Sequence, residues 1–169
     1  MRLSLSFIAG MLALASASAG TAPLSFEIHK IDPQGVGETL GTITAQDGGS
    51  GLLLTPDLKG LPPGSHGFHV HENPACGPGE KDGKPTAGTA AGNHFDPKAS
   101  GQHLGPLGLG HLGDLPMLTV AGDGSAKEAV TATRLHVADL AGRALVIHAD
   151  ADNYADKPGG ARIACGVAK

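Results

Sequence analysis

The sequence predicts an all-β sandwich or barrel with long functional loops, on three observations. Short runs of alternating apolar and polar residues recur along the chain, at the period of a half-buried strand. Helical periodicity is weak. The 27 glycines and 12 prolines cluster heavily in residues 73–116. Histidines and an aspartate sit inside that stretch and could order it through metal bonds, so it does not read as a linker.

The elements follow in order. Residues 24–31 alternate, with Leu24, Phe26 and Ile28 on one face and Ser25, Glu27 and His29 on the other. Residues 39–45 alternate again, Gly48-Gly49 turns the chain, and 51–55 resumes. Residues 67–71, 117–121, 127–131 and 144–149 read as further strands. Ala121-Gly122-Asp123-Gly124 is a turn. Residues 135–140 hold one short helical turn, and there is no internal repeat.

The first residues set the compartment. Met1-Arg2 precedes an apolar run, residues 3–15, broken only by Ser and Gly. Two small-x-small sites follow, Ala15-Ser16-Ala17 and Ala17-Ser18-Ala19. This is the pattern of a secretory signal peptide over residues 1–19, cleaved after Ala19, with Ala17 as the alternative. The run is short for a membrane span, and no cysteine follows it for lipid attachment. Residues 20–169 would then form one domain, large enough to bury a core. The net charge of -4 and the lack of a basic stripe argue against a nucleic-acid partner. Cys76 and Cys165 are the only cysteines. In an exported chain an even pair suggests a disulfide.

Six histidines carry the chemistry. On a strand, residues i and i+2 share a face, so His69 and His71 point one way and Val70 points into the core. His148 ends a β-rich run that could lie beside that strand. His94 would complete four nitrogens, the set favoured by Cu(II). His103, His111 and Asp114 would offer zinc three ligands, and a shared His94 the fourth. A single histidine is more often a solvated or satisfied residue. An ordered set in turn-rich loops is not such an accident.

The residues resemble a known family. Six stretches carry the likeness: Gly67-Phe68-His69-Val70-His71-Glu72, Gly92-Asn93-His94-Phe95-Asp96-Pro97, Gly101-Gln102-His103-Leu104-Gly105-Pro106, Gly110-His111-Leu112-Gly113-Asp114-Leu115-Pro116, Ile147-His148-Ala149 and Gly159-Gly160-Ala161-Arg162-Ile163-Ala164-Cys165-Gly166. Together they are similar to the copper/zinc superoxide dismutases of the bacterial exported type. The resemblance implies a Greek-key β-sandwich, or flattened barrel, of about eight antiparallel strands. It implies one copper ion on His69, His71, His94 and His148, and one zinc ion on His94, His103, His111 and Asp114. It implies a disulfide between Cys76 and Cys165. Arg162 matches the arginine beside copper that attracts the anion, and Asp152 the carboxylate that links His69 to His103 behind the metals.

The activity implied is dismutation of superoxide, by a two-step copper redox cycle in which the His94 bridge carries a proton, in the periplasm. A net-negative chain acting on an anion needs a local positive patch, for which Arg162, Lys81 and Lys84 are candidates. His66 matches a structural histidine bonded to backbone, and Tyr154 is assigned to packing. The alternatives are a non-catalytic copper/zinc-binding protein of the same fold, or a β-sandwich module with structural zinc only. Loss of a copper ligand or of Arg162 would have favoured the first, and neither is lost.

Three features depart from the bacterial pattern. Only Lys157-Pro158 separates the segment Asn153-Tyr154-Ala155-Asp156 from the glycines before Arg162, a shortening expected to alter the reach of Arg162. Leu107 and Leu109 stand where relatives commonly carry Tyr and Asp. With no Trp and few aromatics, a homodimer, common in the family, is left open. Asn93 replaces a usual Gly before His94, where a positive φ would cost more.

Overall fold

The computed structural model describes residues 22–155 and 159–168. Residues 1–19, expected to be a signal peptide, and Lys157-Pro158 lie outside the described residues. Eleven strands run β1 Leu24–Asp32, β2 Gly35–Gly48, β3 Gly51–Leu58, β4 Gly64–His66, β5 Phe68–His71, β6 Gly79–Lys81, β7 Lys84–Thr86, β8 Leu118–Val120, β9 Val130–Ala132, β10 Ala144–His148 and β11 Arg162–Ala168. Single 3₁₀ turns occupy Thr89–Ala91 and Val137–Leu140, the second where a helical turn was expected. Among the described residues there is no α-helix.

Seven strands form one curled antiparallel sheet in the order β5-β10-β11-β1-β2-β3-β9. β4 pairs with β8, and β6 with β7. About eight strands were expected and eleven are found among the described residues, five of them, β4, β6, β7, β8 and β9, only three residues long. β2 starts earlier than its alternation suggested. Its Gly35-Val36-Gly37 end has no polar–apolar rhythm, yet pairs with β1 through a tight turn. Asp32 closes that turn by accepting the N–H groups of Gln34 and Gly35 at 2.7 and 3.0 Å.

The core follows from the period of two. Phe26, Ile28, Ile43, Leu52 and Leu54 turn inward with Phe68, Val70, Leu145 and Ile147, and the loop residues Phe95 and Leu115 join them. β10 alternates between this core and a second cluster on its outer face. Leu145 and Ile147 point in, while Ala144 and Val146 pack with Ile31, Ala87, Ala91 and Cys165. Every residue of β10 and of β5 is therefore buried. The loop after β5 covers the outer face, and the Cys76–Cys165 disulfide ties that loop to β11 with Cα atoms 5.7 Å apart.

Candidate metal centre

The site is assembled on the outer face of β5 and β10. Val146 stands opposite His69, and Ala144 opposite His71. His148 ends β10 two residues beyond Val146, on the same face. Two loop segments then dock on β5 and on each other through backbone bonds. Phe95 N–H donates to Val70 O (2.8 Å), Gly113 N–H to Phe95 O (2.8 Å) and Val70 N–H to Gly113 O (2.9 Å). These bonds set His94 beside His71 and Asp114 beside His69. A Cβ on Gly113 would lie 2.3 Å from Val70 O, so only glycine permits this approach.

The imidazoles are sorted nitrogen by nitrogen. His69 Nε2 bonds Asp152 Oδ2 at 2.9 Å, His71 Nδ1 bonds Gly92 O at 3.0 Å, and His148 Nδ1 bonds Gly160 O at 3.0 Å. A carbonyl or carboxylate only accepts, so each of these nitrogens carries the proton. The opposite nitrogens, His69 Nδ1, His71 Nε2 and His148 Nε2, are buried and have no partner. A buried lone pair without a partner is costly unless it has another use. One ligand atom from each of His69, His71, His94 and His148 falls within 4.8 Å of the others. Neutral imidazoles with their lone pairs turned inward can hold a cation such as copper.

A second set shares His94. Asp114 Oδ1 receives His94 Nδ1 at 2.9 Å, with His103 Nδ1 at 3.0 Å and His111 Nδ1 at 3.5 Å from the same oxygen. His103 Nδ1 and His111 Nδ1 make no hydrogen bond there. Three ring nitrogens and a carboxylate oxygen converge, which is a zinc donor set. His94, His103 and Asp114 also group within 4.8 Å with His69, whose ring stacks on His94 at 3.9 Å. His111 is the outlying member.

Electrostatics keeps the nitrogens ready. Burial, then the neighbouring imidazoles His94 and His148, holds His69 well below the usual histidine range. Burial, then His94 and Arg162, does the same for His71. Burial lowers His148 to about 4. It also lowers His94, against the pull of Asp114. For Asp114 burial pushes up, but the bond from His94 and the surrounding imidazoles prevail, and it sits below the usual carboxylate value.

Asp152 lies behind both sets. Its Oδ1 accepts Gly159 N–H at 2.8 Å and lies 3.6 Å from His103 Nε2, while Oδ2 holds His69. Arg162 donates to Gly88 O at 2.6 Å and Gly92 O at 2.7 Å. It lines a cleft of about 650 Å³ together with Asn93, Gly160 and Lys81. Lys84 is paired with Lys81 across the β6–β7 hairpin and is not part of that lining.

The other expectations resolve simply. His66 reaches two carbonyls, His148 O at 2.7 Å and Pro62 O at 2.8 Å, a structural role. Tyr154 packs over Gly105, 5.9 Å from the His103 ring. Asn93 does not take up a positive φ, so the expected strain is absent; its N–H donates to Glu72 Oε1 at 3.1 Å. Reading the sequence missed the carbonyls of Gly92 and Gly160. A backbone acceptor leaves no residue-type signature.

A curled β-sheet carrying two adjoining histidine-rich donor sets, with His94 in both, is the scaffold of a two-metal protein. The family model described as copper/zinc superoxide dismutase (SODC) matches residues 39–168, and the chain belongs to that family. It is 49% identical over 174 residues to "Superoxide dismutase [Cu-Zn] 2" of Salmonella typhimurium, covering 99% of each chain. Its fold is similar to the copper/zinc superoxide dismutase of Brucella abortus, with TM-score 0.85, 44% identity and coverage of 88% of this chain and 100% of that one. It is also similar to the solution structure of the monomeric copper, zinc superoxide dismutase of Salmonella enterica, with TM-score 0.79, 49% identity and the same coverage.

Proposed function

We propose that this chain dismutates superoxide to oxygen and hydrogen peroxide, with copper held by His69, His71, His94 and His148 and zinc by His94, His103, His111 and Asp114. The observation that carries the reading is that His69 Nδ1, His71 Nε2 and His148 Nε2 are buried and partnerless while the opposite nitrogen of each ring is engaged. That arrangement suits copper and zinc, the metals of the family. Copper held there would supply one-electron redox chemistry toward superoxide.

The chain's own residues do the rest. His94 keeps Nδ1 turned to Asp114. Its Nε2 is the atom that can take a proton and pass it to the reduced substrate. Arg162 stays charged, and the N–H donors not spent on Gly88 and Gly92 are free to bind an anion in the cleft it lines. Asp152 keeps His69 in one tautomer and steadies His103. Asp114 supplies the one anionic donor of the zinc set.

The charged and apolar pattern of residues 1–19 supports export to the periplasm as a single domain, residues 20–169. No helix among the described residues is long and apolar enough to cross a membrane. The test is superoxide decay by the protein loaded with one copper and one zinc, beside His148→Ala. Fast decay in the first and near-background decay in the second is the expected result. Slow decay at full loading would leave a metal-binding protein of this fold without turnover.

A further inference from the structure

We propose that Arg134 is a positioning residue for the zinc half of the site, acting through the backbone of the loop that carries His103 and His111. The proposal rests on the assignment of zinc to His94, His103, His111 and Asp114. Between those two histidines the chain reads Leu104-Gly105-Pro106-Leu107-Gly108-Leu109-Gly110. No side chain in that stretch can donate a hydrogen bond to hold the loop in shape. The anchor comes from outside.

Arg134 enters from the turn after β9, at the edge of the large sheet opposite β5. Its Nε donates to Pro106 O at 2.9 Å and its Nη1 to Gly110 O at 3.5 Å. Its Nη2 donates to Gly105 O at 3.4 Å and to His111 O at 2.6 Å. One planar guanidinium therefore gathers four carbonyls from the two ends of the loop. The shortest of these bonds falls on the carbonyl of His111 itself.

His111 is also the zinc donor in most need of support. Its Nδ1 is 3.5 Å from Asp114 Oδ1, against 2.9 Å for His94 and 3.0 Å for His103, and its side chain keeps 20% exposure. Its position depends on its backbone, whose N–H donates to Gln102 O at 2.8 Å and whose carbonyl Arg134 holds. A lysine could not replace it, because one ammonium presents no planar fork to spread-out carbonyls.

The experiment uses the full chain with Arg134→Ala, Arg134→Lys and His111→Ala. Zinc affinity is read by transfer to a chromogenic chelator, copper affinity in parallel, and zinc-site geometry from the visible spectrum of the cobalt(II)-substituted protein. Arg134→Ala is expected to weaken zinc by about tenfold or more and to alter the cobalt spectrum, with copper affinity held within about twofold. Arg134→Lys should recover little of the loss. An unchanged spectrum and zinc affinity in Arg134→Ala would overturn the proposal. So would equal loss of both metals with a lower melting point of the metal-free chain, which would mark a general structural anchor. Full zinc affinity in His111→Ala would instead sink the zinc assignment, and the proposal with it.

Discussion

At the scale of single residues, Asp152 and Gly67 form one device. The carboxylate of Asp152 accepts from His69 at 2.9 Å and lies 3.6 Å from His103, and Gly67 lies directly beneath it. A Cβ on Gly67 would stand 2.6 Å from Asp152 Oδ1. Asp152→Asn replaces one acceptor by a donor where only N–H groups point in, and should lower metal affinity by about 10–100-fold. Gly67→Ala should reproduce that loss by displacing the carboxylate, although Gly67 donates nothing to a metal. Chelator competition measures both, and full affinity in the Gly67→Ala variant would refute the link.

A pH effect belongs to this scale too. His148 titrates at about 4 in the folded chain, and His69 and His71 lie well below 6.5, all mainly through burial. In the unfolded chain they protonate near 6.5. Above that value both states are neutral and the metal-free protein keeps its full stability. Between 6.5 and about 4 only the unfolded state takes up protons, so stability falls with pH, by roughly 3 kcal/mol from His148 alone. Asp114, shifted down, adds a loss only at lower pH, as pH falls through its folded value. The denaturant midpoint of metal-stripped protein should drop between about pH 7.5 and about pH 4.5. A midpoint that holds or rises would contradict the buried, neutral state of these rings.

At the scale of elements, the loop from β5 to His94 carries Gly88 and Gly92, whose carbonyls hold Arg162, and Gly92 also holds His71. The disulfide pins that loop across a separation of 89 residues. Replacing both cysteines by serine should cost at most about 4–5 kcal/mol in the chain-entropy view. It should also lower kcat/KM more than zinc affinity, because Arg162 and His71 lose their carbonyls while Asp114 keeps its own tether. Equal kcat/KM in the serine variant would separate the disulfide from the placement of Arg162.

What could be read in advance divides on the same physical line. β1 and β3 announce themselves because one face must be apolar, and β10 because both of its faces are buried and it reads as a continuous apolar run. The metal donors do so because few side chains can ligate. β6 and β7 are polar and exposed, with no face to alternate. Their only signal is Asp82-Gly83, both at positive φ (54° and 72°), the two-residue hairpin turn that Asp-Gly favours. Arg134 had no signal at all, since its partners are backbone carbonyls.

At the scale of the whole molecule, the chain carries a net charge of -4 and serves an anion. Overall repulsion slows encounter, and added salt would screen it and raise the rate. A local positive patch does the reverse, and salt lowers the rate. The cleft favours the second case. Arg162 and Lys81 both line it against a single acid, Asp32, so positive charge prevails on its walls. The catalytic rate constant kcat/KM should therefore fall as ionic strength rises through the range where the Debye length shrinks from about 30 Å to about 8 Å. Lys81→Glu should lower kcat/KM at low salt and flatten or invert that dependence, with metal content unchanged, because Lys81 touches neither donor set. A rate that climbs with salt in the unmodified protein would mean that the net charge governs approach, and that Arg162 acts only after the anion has arrived.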